Sequence, residues 1–135
     1  MDPSHILIWN VRGLNSAARQ DLMRVLVDSA KIDVVCLQET KMTSINRQVV
    51  LLMLGSDFDN NFVSLPSVGA SEGILIAWRS RLGTIGASRL DSHCVSIQFS
   101  LLMVILGGSH VFMALRTTRK RFNSYRNSAK CVLSV

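Results

Sequence analysis

Two short apolar runs, H-I-L-I at 5–8 and D-V-V-C-L at 33–37, flank a segment long enough for one helix. Runs of this length, rich in β-branched residues and bounded by turn signals, form buried strands. The first strand is expected over 4–11, closing in a turn at Arg12-Gly13-Leu14-Asn15, and the second over 32–37. Between them Ser16 is placed to cap a helix ending near Ala30-Lys31. Ala18, Leu22, Val25, Leu26 and Ser29 fall on one face of it. A strand–helix–strand unit of this kind makes a right-handed parallel crossover. Both strands then end at one sheet edge, carrying W-N-V-R-G (9–13) and C-L-Q-E-T (36–40). The carboxyl ends of strands are where open α/β sheets build sites. A carboxylamide, Asn10, and a carboxylate, Glu39, converging there can offer oxygen ligands to a hard divalent cation such as Mg2+.

Further along, 44–54 reads as a second helix stopped at Gly55, with a short strand around Phe62-Val63. G-I-L-I-A-W (73–78) is a continuous apolar strand, and 83–88 with 94–100 suggests a hairpin. There is no internal repeat. Three cysteines (Cys36, Cys94, Cys131) without metal-type spacing argue against a disulfide framework or zinc site. The opening M-D-P-S-H lacks a signal-type core, so a nuclear or cytoplasmic chain is expected and secretion is not. The longest apolar run, 101–108, is far below the roughly 20 residues a membrane helix needs, so no membrane partner is expected. The net charge of +6 belongs wholly to one end. Residues 1–100 hold nine Lys/Arg and nine Asp/Glu, whereas 101–135 hold six basic residues and no acidic one.

I-W-N-V-R-G-L-N (8–15), V-V-C-L-Q-E-T-K (34–41) and L-P-S-V-G-A-S-E-G-I-L-I-A-W (65–78) resemble the endonuclease/exonuclease/phosphatase superfamily in order and context. Within it they are most similar to the N-terminal endonuclease domain of plant non-LTR (LINE-type) retrotransposon polyproteins. Taken singly, an Asn after a strand usually bonds its own backbone and a Glu at a strand end is usually solvated. The ordered concurrence of the motifs points to ancestry. The resemblance implies a partial α/β fold, the N-terminal half of a two-sheet α/β sandwich flanked by helices. It also implies Mg2+-dependent hydrolysis of a phosphodiester in DNA, with no small-molecule cofactor. By the same resemblance Glu39 is the metal carboxylate, and Asn10 helps position the metal and phosphate. Gln38 and Thr40 would orient Glu39 from behind. Arg12 could contact a phosphate, but no family role is carried onto it. Trp9 and Trp78 are expected in the core.

The family's later motifs have no counterpart here: a Tyr-Gly-Pro, an Asp-x-Asn pair, a further Asp and a final Asp-His. Tyr125 sits in R-F-N-S-Y-R-N, and D-S-H at 91–93 lies far too early to be the terminal motif. Catalytic groups that act as a unit lose most of the rate when one is missing, so negligible turnover is expected. Residues 1–100 are therefore expected to form an incomplete domain, and 101–135 a basic tail. Codons that spell 101–119 can, grouped one base earlier, spell L-A-D-G-D-S-W-W-F-T-C-F-Y-G-P-Q-D-D-K, which resembles the family's continuation. A frameshift near Ser100 then explains the loss of acidic residues, and a tail never selected to pack is expected to be poorly ordered. The competing reading is a non-catalytic protein that binds nucleic acid through an authentic basic tail. A half sandwich is also expected to leave a sheet face bare and to aggregate.

Overall fold

The structure, a computed structural model, describes residues 4–68, 73–83, 85–91, 93–99, 102–107, 111–115, 121–123 and 131–134. For 114, 115, 121–123 and 131–134 it describes the backbone path alone. Strand β1 (His5–Asn10) leads into helix α1 (Ala17–Ser29), and β2 (Val34–Gln38) returns parallel to β1. Helix α2 (Arg47–Met53) follows, then β3 (Phe62–Leu65) and β4 (Ile74–Trp78). A meander completes the second sheet: β5 (Ala87–Leu90), β6 (Cys94–Gln98), β7 (Leu102–Gly107), β8 (Val111–Leu115) and β9 (Arg121–Asn123). Strand β10 (Cys131–Ser134) rejoins the first sheet antiparallel to β1. The sheets run β10-β1-β2-β4-β3 and β5-β6-β7-β8-β9. This is the mixed α/β, two-sheet architecture expected from the motifs.

Period-two alternation gives β1, β2 and β4 two apolar faces each. Leu7, Val35, Leu37, Leu75 and Ala77 pack with Met23 and Val27 of α1 and Val50 and Met53 of α2. Ile6, Ile8, Val34, Cys36, Ile74, Ile76 and Trp78 face the second sheet, meeting Val95, Ile97, Val104, Leu106 and Met113. Trp78 stands edge-on to Phe99, ring centroids 5.6 Å apart. Burial on both sides explains why these strands read as unbroken apolar runs. On the outer face of the second sheet Met103 is exposed, Ile105 and Phe112 are half-buried, and edge strand β5 is exposed throughout.

Ser16 caps α1 by accepting from the Arg19 N–H at 3.2 Å. The apolar face assigned to α1 from spacing is not the buried one. Met23 and Val27 are buried, with Leu26 partly so, whereas Leu22 is 68% exposed, Val25 is exposed, and so are Ala18 and Ser29. Two stripes compete on this helix, and polar tethers choose between them. Gln20 Nε2 donates to the Leu14 carbonyl at 2.8 Å, and Arg24 Nη1 to the Leu51 carbonyl at 3.2 Å. The second helix is shorter than expected, capped by Asn46 and ending at Leu54, with Gly55 (φ 108) opening a 3-10 turn. Of the span 101–135, expected to order poorly, β7–β10 are strands. Residues 101, 108–110, 116–120, 124–130 and 135 lie outside those described. An alternating apolar run such as L-M-V-I-L can pair with β6 whatever its origin.

The N-terminal edge of the first sheet is closed by ion pairs. Asp33, 5% exposed, accepts from Arg81 Nε and Nη2, both at 2.7 Å, and from the His5 N–H at 2.9 Å. Arg79 Nε donates to the Ile32 carbonyl at 2.6 Å. Burial alone would raise the Asp33 carboxyl, but the Arg81 hydrogen bonds, the His5 N–H and the charges of Arg81 and Arg79 outweigh it. They hold the carboxyl below its ordinary 3.8. A carboxyl lowered on folding adds stability above its unfolded pKa and loses it as pH falls through the folded value. We predict that Asp33→Asn costs about 2 kcal/mol at pH 7, less than a fully buried pair because Arg81 is half-exposed. Urea melts from pH 7 to 2 should converge for the two proteins below pH 4. A constant difference across that range would remove Asp33 as the titrating group.

Candidate functional site

At the opposite edge the parallel ladder continues past the strands as a loop-to-loop zipper. Val11 N–H donates to the Gln38 carbonyl (3.0 Å), Gly13 N–H to Glu39 (2.8 Å) and Leu14 N–H to Thr40 (2.9 Å). Asn15 Nδ2 adds a bond to the Lys41 carbonyl at 2.8 Å. On the other flank Thr40 N–H donates to Gly73 (3.0 Å), and Ser67 N–H to Met42 (2.9 Å). Arg12, Glu39 and Lys41 all take positive φ, at 52°, 52° and 57°. Left-handed residues break the pleat, so the chain bends out of each strand where the expected site residues stand. Non-glycine residues adopt this region at a cost, repaid here by the cross-loop bonds.

Asn10 pairs in register with Gln38, and both continue the face that looks at the second sheet, after Ile8 and Cys36. The Asn10 Oδ1 is buried and has no hydrogen-bond partner. Glu39, one residue beyond Gln38, is half-buried on the adjoining loop. The two residues expected to act together thus come from neighbouring strand ends at one edge. Gln38, 4% exposed, sends its Nε2 to the Gly107 carbonyl of β7 at 2.8 Å, tying one sheet to the other. Thr40 is wholly buried, and its Oγ1 accepts from the Met42 N–H at 3.4 Å. Arg12 is exposed on the turn. Cys36, beneath the site, is fully buried and its thiol is pushed up to about 12, which removes it as a nucleophile.

An orphaned amide oxygen and a half-buried carboxylate are hard oxygen donors, and they suit Mg2+ in kind. Among the described residues no three of His, Cys, Asp and Glu cluster as a metal site. A cation here would keep most of its water, so the donors fit an ion held weakly. His5 lies at the far end of β1, and His93 is exposed beside the β5–β6 hairpin. His110 and Tyr125 lie outside the described residues.

One member escaped the sequence reading. Arg19 Nη1 donates to the carbonyls of Gly13 (3.0 Å), Arg12 (3.1 Å) and, more loosely, Val11 (3.5 Å). It thereby gathers the turn after β1. Its signal was its place: a cation in the first turn of a helix opposes the macrodipole and needs another employment. On the helix side of the turn, a cleft of about 380 Å³ opens between Trp9 and α1.

Gly73 is the tightest joint. Its φ is +120°, and a Cβ there would overlap Thr40 Oγ1 and stand 3.1 Å from the Lys41 nitrogen. We predict that Gly73→Ala destabilises the protein by roughly 3–4 kcal/mol, combining backbone strain and overpacking. Adding Thr40→Ala should recover about 1 kcal/mol or more through coupling of neighbours. Additive costs in a double-mutant cycle of chemical melts would show that the two residues do not meet.

The model of the endonuclease/exonuclease/phosphatase family matches residues 7–109. No curated protein matches the chain. Among solved structures, the crystal structure of AP endonuclease LMAP from Leishmania major aligns at 17% identity and a TM-score of 0.45. The alignment covers 95% of this chain and 41% of that one, so the chain spans well under half the neighbour's length.

Proposed function

The chain belongs to the endonuclease/exonuclease/phosphatase family, and we propose that it carries the metal-binding side of a Mg2+-dependent DNA phosphodiesterase site without the groups needed for turnover. The observation that carries this reading is the unpartnered, buried Asn10 Oδ1 beside the Glu39 loop. A buried polar atom left unsatisfied costs about 1–3 kcal/mol, and such atoms persist where a ligand completes them. Glu39 would hold the cation through its carboxylate, and Asn10 through its amide oxygen. A cation so bound would supply positive charge to the phosphate and leaving oxygen. Gln38 and Thr40 would fix the backbone on either side of Glu39 through Gly107 and Met42. Arg12 would stand at the edge as a phosphate contact.

The general base is the missing part. Neither described histidine lies at the Asn10–Glu39 edge, so among the described residues there no imidazole is placed to take a proton from water at neutral pH. The motifs at 8–15, 34–41 and 65–78 support descent from a plant LINE-type retrotransposon endonuclease, with residues 101–135 read out of frame. The acid-free charge pattern of 101–135 supports the second half of that reading.

Mg2+ titrations followed by amide NMR should show weak binding centred on residues 10–13 and 38–41, reduced at least ~10-fold in Glu39→Gln, a loss of about 1.4 kcal/mol. Supercoiled plasmid incubated with chain and Mg2+ should stay intact. Nicking that depends on Glu39 would refute the inactive reading. Mg2+ shifts unchanged by Glu39→Gln would refute the site itself. Sequencing the gene around the codon for Ser100 tests descent: prompt stops in the alternative frame would make the tail authentic.

A further inference from the structure

We propose that the cleft between β1 and α1 seats one nucleotide of a nucleic-acid strand, a base against its apolar wall and a phosphate at its basic rim. The wall is Trp9, Leu22 and Met23, and the rim is Arg12 and Arg19; among the described residues no acidic side chain lines it. A volume of about 380 Å³ falls in the range of small-ligand sites, which are mostly apolar with a few convergent polar groups. A purely apolar ligand would leave the guanidiniums unused, and a bare phosphate would leave the indole and aliphatic wall wet. A nucleotide matches both halves, since every base has a face that stacks on an aromatic ring or packs on aliphatic carbon. Arginine supplies the planar fork that phosphates accept.

The rim is held in place. Arg19 is fixed by the carbonyls of residues 11–13, and Arg12 stands on the same turn at φ 52°. Gly13, next to Arg12, is bonded through its N–H to the Glu39 carbonyl at 2.8 Å. The cleft and the Asn10–Glu39 edge thus share one turn, and Asn10 itself borders the cleft. A strand crossing the turn with a phosphate near Glu39 would bring a neighbouring nucleotide over the cleft. The proposal names the substrate unit for the reading given above, and its test runs without metal so that the two can fail separately.

The test is amide and indole NMR of the full chain in EDTA, titrated with dAMP and, separately, with deoxyribose 5-phosphate. The expected result is a saturable dAMP shift at the Trp9 indole and residues 11–13 and 22–23, with deoxyribose 5-phosphate at least ~10-fold weaker. Leu22→Glu and Arg12→Glu, both at exposed positions, should each weaken dAMP about 10-fold, a change of about 1.4 kcal/mol. Leu52→Glu, exposed on α2, should leave it unchanged. Equal affinity for the two probes, shifts that survive Leu22→Glu, or no saturable shift would each overturn the proposal. Binding of dAMP together with Mg2+ shifts insensitive to Glu39→Gln would instead leave the cleft standing and remove the metal site.

Discussion

The continuation of the β1–β2 ladder into the loops at 10–15 and 38–42 is the constraint on which the rest depends. Strand pairing alone would bring Asn10 opposite Gln38 and then let both chains part. Instead three backbone bonds keep them together for a further turn while Arg12, Glu39 and Lys41 hold left-handed conformations. None of the three would adopt that region without such support, because the αL well is a costly one for residues with a Cβ. The Arg19 guanidinium completes the arrangement from the helix side by collecting three carbonyls. The loops therefore behave as an extension of the sheet rather than as connections hung from it.

The first sheet has two unlike ends. At the N-terminal end of β2 each polar group has found a partner on the chain: Asp33 with Arg81 and the His5 N–H, and Ile32 and Val27 carbonyls with Arg79. At the other end a buried amide oxygen is left with none. Both ends are packed by the same two apolar cores, so a difference in burial does not account for the contrast. One end is satisfied internally and holds the crossover shut. At the other, among the described residues, the Asn10 amide oxygen stays unpartnered.

How much of this was legible in the residues depended on range. Strands β1, β2 and β4 were readable because burial on both faces writes itself as an unbroken run of Ile, Leu and Val. The parallel crossover followed from one helix-length gap, and with it the meeting of Asn10 and Glu39 at one edge. The buried face of α1 was not readable, since Leu22–Val25 and Met23–Val27 are equally plausible stripes by spacing. The choice is made by Gln20 and Arg24 bonding to carbonyls on other segments. Gln38 was noticed for its neighbour, yet its amide is spent on a carbonyl 69 positions away. Contacts to backbone leave no mark on the partner's residue type, and the bonds of Arg19 share that invisibility.

The bond from Gln38 to Gly107 has a consequence for how such a fold tolerates change. It joins the two sheets, and its acceptor is a peptide oxygen rather than a side chain. Every residue type offers that oxygen. A strand of almost any alternating apolar composition can therefore dock beneath the first sheet and be held by the same amide. The interface is selective about shape and spacing and indifferent to identity. The demands on residue identity therefore fall on the first sheet and its loops, and those on the strand that faces Gln38 are demands of spacing.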